Sequence, residues 1–137
     1  MIFNQNTYDI KCEWGSTGIE QLAPVSDVII IVDVLSFSTC VDVAVSQGAE
    51  VFPYKFRDNS AFEHAKKINA ICADIKRSDS SYSLSPVSLI AIQSGTRLVL
   101  PSPNGSNLSL FKTNKIILCG CLRNCQARCP ACHDNWK

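Results

Sequence analysis

Five consecutive β-branched residues, Val28–Val32, stand between two aspartates and constrain the fold of this chain more than any other segment. Such a run is typical of a strand that is buried on both faces of a parallel sheet. It is far shorter than the roughly 20 apolar residues of a membrane-spanning helix, so we expect no membrane partner. The pattern predicts a strand over 27–34 at the centre of the fold.

Strand and helix patterns alternate after this run. Further strands are predicted over 50–54, 97–101 and 115–119, and helices over 36–48, 59–75, 85–95 and 106–111. This alternation predicts right-handed crossovers and an α/β fold: a mostly parallel sheet with helices on both faces, in three α/β/α layers. An additional edge strand is predicted over 7–14, and the polar segment 77–83 is predicted to be a loop.

Length and charge limit the domain count and the partners. A chain of 137 residues suits one core, and we expect a single domain over 1–127. Thirteen basic against twelve acidic side chains provide no electrostatic footprint for nucleic acid. With no signal-peptide pattern at the N-terminus, we expect a cytoplasmic protein that acts on a small molecule, as a monomer or a homo-oligomer.

Polar residues collect where the predicted strands end. In an open parallel sheet ligands bind outside the carboxyl ends of the strands, and the segments 33–39, 101–106 and 120–124 follow three of them. Their hydroxyls, amides and backbone N–H groups suit an anion, and Arg123 is predicted to bind a phosphate or sulfonate. Asp33 suits Mg²⁺, because an unpaired carboxylate at the end of a buried strand is costly.

Structural roles remain open alternatives for several of these residues. Helix or loop capping is the other reading for Asp33, Ser36, Ser38 and Thr39, and Asn104-Gly105 is also a common tight-turn dipeptide.

Several known phosphate-handling motifs are absent from the sequence. Leu35 stands where an Asp-x-Asp pair needs its second aspartate, and the spacing from Cys72 to Arg77 is one residue short of a Cys-x5-Arg loop. There is no Walker-type loop and no Gly-x-Gly-x-x-Gly. Attack by water, assisted by a metal ion, is therefore the simpler mechanism for a phosphatase.

Six motifs, in order, resemble the 2-phosphosulfolactate phosphatase family over about residues 8–127. They are Cys12-Glu-Trp-Gly15, Val32-Asp-Val-Leu-Ser-Phe-Ser-Thr-Cys40, Gly48-Ala-Glu-Val-Phe-Pro-Tyr54, Ser83-Leu-Ser-Pro86, Leu98-Val-Leu-Pro-Ser-Pro-Asn-Gly-Ser106 and Gly120-Cys-Leu-Arg-Asn124. The resemblance implies an α/β fold and a Mg²⁺-dependent phosphomonoesterase that converts 2-phospho-3-sulfolactate and water into 3-sulfolactate and phosphate, a step towards coenzyme M. Its small partner would be a phosphorylated sulfo- or hydroxy-acid.

The resemblance also implies site residues. Catalytic roles fall to Asp33, Ser36 and Asn104, and metal binding to Asp33 with Glu13 as a second carboxylate. Substrate binding is expected of Ser38, Thr39, Gly105, Ser106, Arg123 and Asn124. The chain departs from the better-known members at Ser36, where they carry arginine.

The match ends at Ala127, and residues 128–137 form a cysteine-rich tail outside it. We therefore expect a C-terminally truncated member with an incomplete sheet, and an inactive or anion-binding fragment is the alternative function. A third reading is a small zinc-binding protein that uses Cys125, Cys129, Cys132 and His133. Cys12, Cys40 and Cys72 are predicted to be buried apolar residues with free thiols.

Overall fold

The computed structural model describes residues 5–127. Helices and strands alternate in this part of the chain, which contains α1 (Gly15–Leu22), β1 (Val28–Val32), α2 (Phe37–Ser46), β2 (Glu50–Tyr54), α3 (Ser60–Lys67), β3 (Ile71–Cys72), β4 (Arg97–Pro101), α4 (Gly105–Ser109) and β5 (Ile116–Gly120). Two short 3-10 turns, Ala23–Val25 and Pro86–Leu89, complete the regular structure.

The strands form two small parallel sheets. In the first, β1 pairs with β5 in a register that runs from Val28 opposite Ile116 to Val32 opposite Gly120. In the second, the order is β2-β4-β3, and β4 lies in the centre. The parallel strands and the helices that connect them confirm the predicted α/β class.

Helices cover both faces of the second sheet. Leu98 and Leu100 point from β4 into the larger core, which includes Phe37 and Cys40 of α2. Val99 alternates to the opposite face and is fully buried, and α3 packs there against β3 and β4. This side-chain alternation makes β4 the most buried strand among the described residues and gives the layers their order.

The first sheet is covered on one face. Ile29 and Ile31 of β1 pack with Ile19 of α1 and with Leu108 of α4 in a second, smaller core. On the other face Ile30 is 55% exposed and Val32 is 68% exposed. The prediction that this strand is buried on both faces is therefore wrong in the described part of the chain, because α1 and α4 both pack on the same side.

The predicted edge strand over 7–14 is also wrong. Residues 5–14 contain no strand, and the helix α1 follows, which the sequence pattern did not predict. This helix begins at Gly15, whose φ of +64° lies in the left-handed region that glycine adopts without strain.

The predicted helix over 59–75 ends early, at Lys67. Asn69 has a φ of 52°, which breaks the helical path, and the side chain of Arg97 donates a hydrogen bond to the carbonyl of Ile68 at 2.6 Å. Ile71 and Cys72 then form β3 and pair with β4. The spacing of these residues fits a helix. Pairing with the buried strand β4 also satisfies their backbone N–H and C=O groups, and this pairing makes the segment a strand.

The predicted helix over 85–95 is wrong as well, because only the 3-10 turn Pro86–Leu89 forms there. The Ser88 hydroxyl donates to the carbonyl of Ser85 at 2.7 Å and so competes with helical hydrogen bonding.

The other boundaries agree closely with the sequence pattern. The strands β2 and β4 have the predicted bounds, and β5 and α4 are shifted by one or two residues. Helix α2 ends just before Gly48, whose φ of +85° is the left-handed terminator expected there.

Candidate functional site

Loops from separate parts of the chain meet at one edge of the fold, where β1, β4 and β5 end. Val32 and Gly120 are the last paired residues of the first sheet, so the loops that follow them start side by side. Gly105, at the start of α4, lies against the ring of Phe37, at the start of α2. The structure therefore brings together the segments 33–39, 101–106 and 120–124.

Asp33 lies at this edge with its carboxylate free of internal partners. Its backbone N–H donates to the Ser38 hydroxyl at 2.9 Å, which fixes the backbone, and the residue is half-buried. Within residues 5–127 no side chain forms a hydrogen bond or an ion pair with the carboxylate. A half-buried carboxylate with open lone pairs is suited to bind a cation or a water molecule.

The Ser36 hydroxyl is buried and held from two sides. It donates to the carbonyl of Leu84 at 2.8 Å and accepts from Nη2 of Arg77 at 3.0 Å. Arg77 is 41 residues away in sequence and was not among the predicted site residues. No sequence signal indicated it, since the loop over 77–83 carries no motif that pairs it with Ser36.

The thiol of Cys40 reports which charges surround this part of the edge. Burial raises its pKa to about 11, while a hydrogen bond with Ser36 and the positive charge of Arg77 act to lower that pKa. The negative charge of Asp33 acts to raise it further. Asp33, Ser36 and Arg77 therefore all influence the same thiol, which stays protonated at neutral pH and is a poor nucleophile.

Three predicted hydroxyls bind backbone carbonyls of their own neighbourhood. Ser38 donates to Ile31 at 2.8 Å, Thr39 to Val34 at 2.7 Å and Ser106 to Leu100 at 2.9 Å. Ser38 and Ser106 are fully buried. The hydrogen bonds of these two serines join each loop to the strand before it. In this structure they therefore stabilise the loops and do not face a ligand.

The predicted amides and glycine also have identifiable positions. Asn124 accepts from the N–H of Cys121 at 2.8 Å and donates to the carbonyl of Cys119 at 3.0 Å, which closes the turn after β5. Asn104 precedes α4, is exposed and makes no side-chain capping bond. Gly105 is buried against Phe37, and a Cβ built there would lie 2.2 Å from the ring.

Arg123 is paired with a carboxylate of the protein. Its Nε donates to Asp42 of α2 at 2.8 Å. This ion pair fastens the turn after β5 to α2 and engages the charge that we predicted to bind substrate.

Glu13 lies just before α1, and its carboxylate accepts a hydrogen bond from Gln5 at 2.9 Å. Across residues 5–127 no group of three or more His, Cys, Asp or Glu side chains is arranged to hold a metal ion. Mg²⁺ commonly binds through one or two carboxylates together with waters and substrate phosphates. The open carboxylate of Asp33 fits that mode, in which the phosphate supplies part of the coordination.

The predicted zinc ligands fall mostly outside the described residues. Cys129, Cys132 and His133 lie beyond residue 127, and Cys125 is exposed, with its thiol donating to the carbonyl of Leu122 at 3.2 Å. Among the described cysteines all thiols are free, as predicted, and Cys40 is buried. Cys12 is exposed, so the prediction that it is buried is wrong.

Two surface depressions lie elsewhere on the molecule. One, of about 490 Å³, is lined by residues 111–115 together with Ala23 and Pro24, and the other, of about 460 Å³, by residues of β3 and the loop after it. Neither includes a residue that the sequence predicted for the site.

No protein-family model, curated protein or solved structure matches the chain. Over residues 5–127 no helix has both the length and the apolar character that crossing a membrane requires.

Proposed function

We propose that this protein is a Mg²⁺-dependent phosphomonoester hydrolase that acts on a small phosphorylated sulfo- or hydroxy-acid. The observation that carries the proposal is the hydrogen bond from the guanidinium of Arg77 to the buried Ser36 hydroxyl, three residues after the open carboxylate of Asp33. The charges of Arg77 and Asp33 both act on the Cys40 thiol. A carboxylate for the metal or the water and a cationic group for the phosphate are the two elements that phosphoryl hydrolysis needs. The resemblance of the motifs supports 2-phospho-3-sulfolactate as the substrate to test first.

The residues at this edge would have different roles in hydrolysis. Asp33 would hold Mg²⁺ or accept a hydrogen bond from the attacking water. Ser36, whose hydroxyl proton is donated to Leu84, would act by holding the guanidinium of Arg77 in position. The chemistry that bound Mg²⁺ supplies is neutralisation of charge on the phosphate oxygens. The buried contacts of Ser38 and Ser106 hold the loops in place while the phosphate ester is cleaved.

Covalent catalysis by cysteine has little support at this edge. Cys40 is buried and its pKa is about 11. Burial also raises the pKa of the Cys119 thiol to about 11. A thiol of this kind is almost entirely protonated at neutral pH, whereas the thiolate is the nucleophile. Direct attack by water is consistent with both the sequence pattern and these environments.

Replacement of Asp33 by asparagine tests the proposal. With Mg²⁺ and 2-phospho-3-sulfolactate, the full chain should release phosphate in a malachite-green assay. Asp33→Asn should lower the rate about hundredfold or more, the scale of losing one electrostatic contact in a transition state. The matched control is Asp27→Asn, because Asp27 is exposed and precedes the same strand at its opposite end, and it should retain activity within about threefold.

Two results would contradict this assignment. Phosphate release by Asp33→Asn at the unaltered rate would remove Asp33 from the reaction. Alternatively, the unaltered chain releases no phosphate but binds it, and the second candidate function, anion binding without turnover, then replaces the first. The observation that favours that second candidate is the guanidinium of Arg77, which forms no ion pair among residues 5–127 and would attract an anion whether or not turnover follows.

A further inference from the structure

Arg77 is a cation without a carboxylate partner at the candidate site. Among residues 5–127 the ion pairs involve Arg97 with Glu50 and Arg123 with Asp42, and Arg77 is in neither. A guanidinium has five N–H donors, and within the described chain Arg77 uses one, for Ser36. The remaining donors and the whole charge are open to a ligand.

The loop that carries Arg77 is closed by its own hydrogen bonds. The N–H of Ser78 donates to the Ser83 hydroxyl at 3.0 Å, and that hydroxyl donates to the carbonyl of Ser78 at 2.6 Å. Ser83 is fully buried, and the N–H of Asp74 donates to the carbonyl of Tyr82 at 2.7 Å. The backbone next to Arg77 is thus fixed before any ligand arrives, which lowers the entropic cost of binding.

The Ser36 hydroxyl sets the direction of the guanidinium. Ser36 directly precedes α2, and its hydroxyl also donates to the carbonyl of Leu84. Both constraints fix the position of the hydroxyl. Arg77 is thereby held at Ser36, three residues after Asp33, and the charges of Arg77 and Asp33 both act on the Cys40 thiol. This is where a phosphate shared between a metal and a cation would have to lie.

Arg123 is the competing cation at this edge, and the structure favours Arg77. Nε of Arg123 lies 2.8 Å from Asp42, and a ligand would have to displace that carboxylate before it could use the full charge. Arg77 needs no such exchange.

We propose that Arg77, with Ser36, is the anion-binding residue of this edge and takes a tetrahedral oxyanion of the substrate, a phosphate or a sulfonate. The inference rests on the proposed function for the identity of the substrate, but it makes a separate claim about binding. Two parallel N–H donors of a guanidinium match two oxygens of such a group, whereas the ammonium of lysine offers only a point charge.

Titration calorimetry of the Mg²⁺-free full chain with inorganic phosphate, and separately with methanesulfonate, tests this claim. Arg77→Gln should weaken binding of at least one probe about tenfold or more, since charge-assisted hydrogen bonds are lost. Arg77→Lys should lie between, because charge is kept and the planar fork is lost. The matched control is Lys76→Gln, which removes the same charge from the neighbouring exposed residue and should change affinity less than about twofold.

Each outcome decides the proposal. Loss of phosphate affinity assigns Arg77 to the phosphate, and loss of methanesulfonate affinity alone assigns it to the sulfonate. Equal binding by Arg77→Gln and the unaltered chain, no saturable binding by the unaltered chain, or a larger loss in Arg123→Gln than in Arg77→Gln would overturn it. Circular dichroism of each variant shows that it is folded, and a parallel phosphate-release assay separates failure of turnover from failure of binding.

Discussion

At the first residue of α4 the ring of Phe37 leaves no room for a side chain. A Cβ at Gly105 would lie 2.2 Å from Cδ1 and 2.4 Å from Cγ of that ring, and Phe37 is fully buried. Asn104-Gly105 reads as an ordinary turn in the sequence, yet here the glycine allows two helix starts to approach each other. Its role at the edge is steric, and it places the segments 33–39 and 101–106 in contact.

Gly105→Ala should therefore destabilise the protein although alanine is the better helix former. Overpacking typically costs about 1–3 kcal/mol, against a gain of at most about 1 kcal/mol from helix propensity. We expect a lower midpoint in urea unfolding, and Asn107→Ala, at an exposed position in the same helix, should change stability by less than about 0.5 kcal/mol.

The same unfolding experiment can test whether the ring of Phe37 is the group that clashes with a side chain at position 105. In a double-mutant cycle, Phe37→Leu should recover part of the loss caused by Gly105→Ala, because a smaller side chain then faces the new methyl group. Strict additivity of the two substitutions, or an unchanged midpoint for Gly105→Ala, would show that the ring is not the obstacle.

Among the elements, β1 shows how tertiary packing distinguishes residues that the sequence makes alike. Ile30 and Ile31 are chemically identical neighbours in one strand, but Ile31 is 5% exposed and Ile30 is 55% exposed. Strand alternation sends them to opposite faces, and α1 and α4 pack on the face of Ile31 alone. The apolar run predicted the strand, and it contained no information about which face is covered.

The two isoleucines should consequently respond differently to truncation. Ile31→Ala should cost about 2–4 kcal/mol of unfolding free energy, because it removes buried methyl groups and leaves a cavity. Ile30→Ala should cost about 1 kcal/mol or less, since its side chain is largely hydrated in the folded state. Denaturant unfolding of both variants provides the comparison, and equal costs would mean that the face of Ile30 is covered in solution.

The α3–β3 segment illustrates a different limit of sequence patterns. Helical spacing of apolar residues over 59–75 predicted one helix, but Ile71 and Cys72 pair with Leu98 and Val99 of β4. The competing partner is more than twenty residues away, so a local period could not reveal it. The backbone N–H and C=O groups of Ile71 and Cys72 could be satisfied in a helix or in a strand. Pairing with the buried strand β4 favours the strand conformation.

At the scale of the whole molecule, burial changes the acidity of thiols in separate parts of the fold. The pKa values of Cys40, Cys72 and Cys119 are each raised from 9.0 to about 11, mainly because burial disfavours the thiolate. Cys12 and Cys125 are exposed. The high cysteine content therefore divides, in the described residues, into thiols that the fold protects and thiols that it leaves accessible.

Alkylation should follow this division. With iodoacetamide at pH 8 under native conditions, Cys12 and Cys125 should react first, and Cys40 and Cys119 should react at least about tenfold more slowly, since the thiolate is the reactive form and burial limits access. Peptide mass spectrometry after timed quenching measures the order. Faster labelling of Cys40 than of Cys12 would contradict the packing of α2.

The same pKa shifts imply a dependence of stability on pH. A thiol whose pKa rises on folding holds its proton more tightly in the folded state, so its contribution to stability is complete below pH 9 and is lost as pH rises towards 11. Thermal unfolding should shift to lower temperature over that interval. In Cys40→Ala the unfolding temperature should fall less between pH 8 and pH 11 than it does in the unaltered chain.

The sequence predicted which loops meet at the candidate site, because the order of the strands determines where those loops begin. Residues directly after a strand, such as Asp33 and Ser36, could be found because parallel strands end at a common edge. The engagement of Arg123 by Asp42 and the approach of Arg77 to Ser36 span 81 and 41 residues. Contacts of that range depend on how α2 and the loop over 77–83 pack, and no local pattern contains them.

The sequence by itself determined the α/β class, the bounds of β2 and β4, the termination of α2 at Gly48 and the edge at which polar residues collect. These follow from local preferences: β-branched runs, glycine conformations and the shared direction of parallel strands. Only the tertiary structure decided which face of β1 is covered, where α3 ends and whether Arg77 or Arg123 is the arginine of the candidate site that pairs with a carboxylate. Those outcomes depend on competition between partners that are distant in the chain, and the competition is resolved only when the helices and sheets pack together.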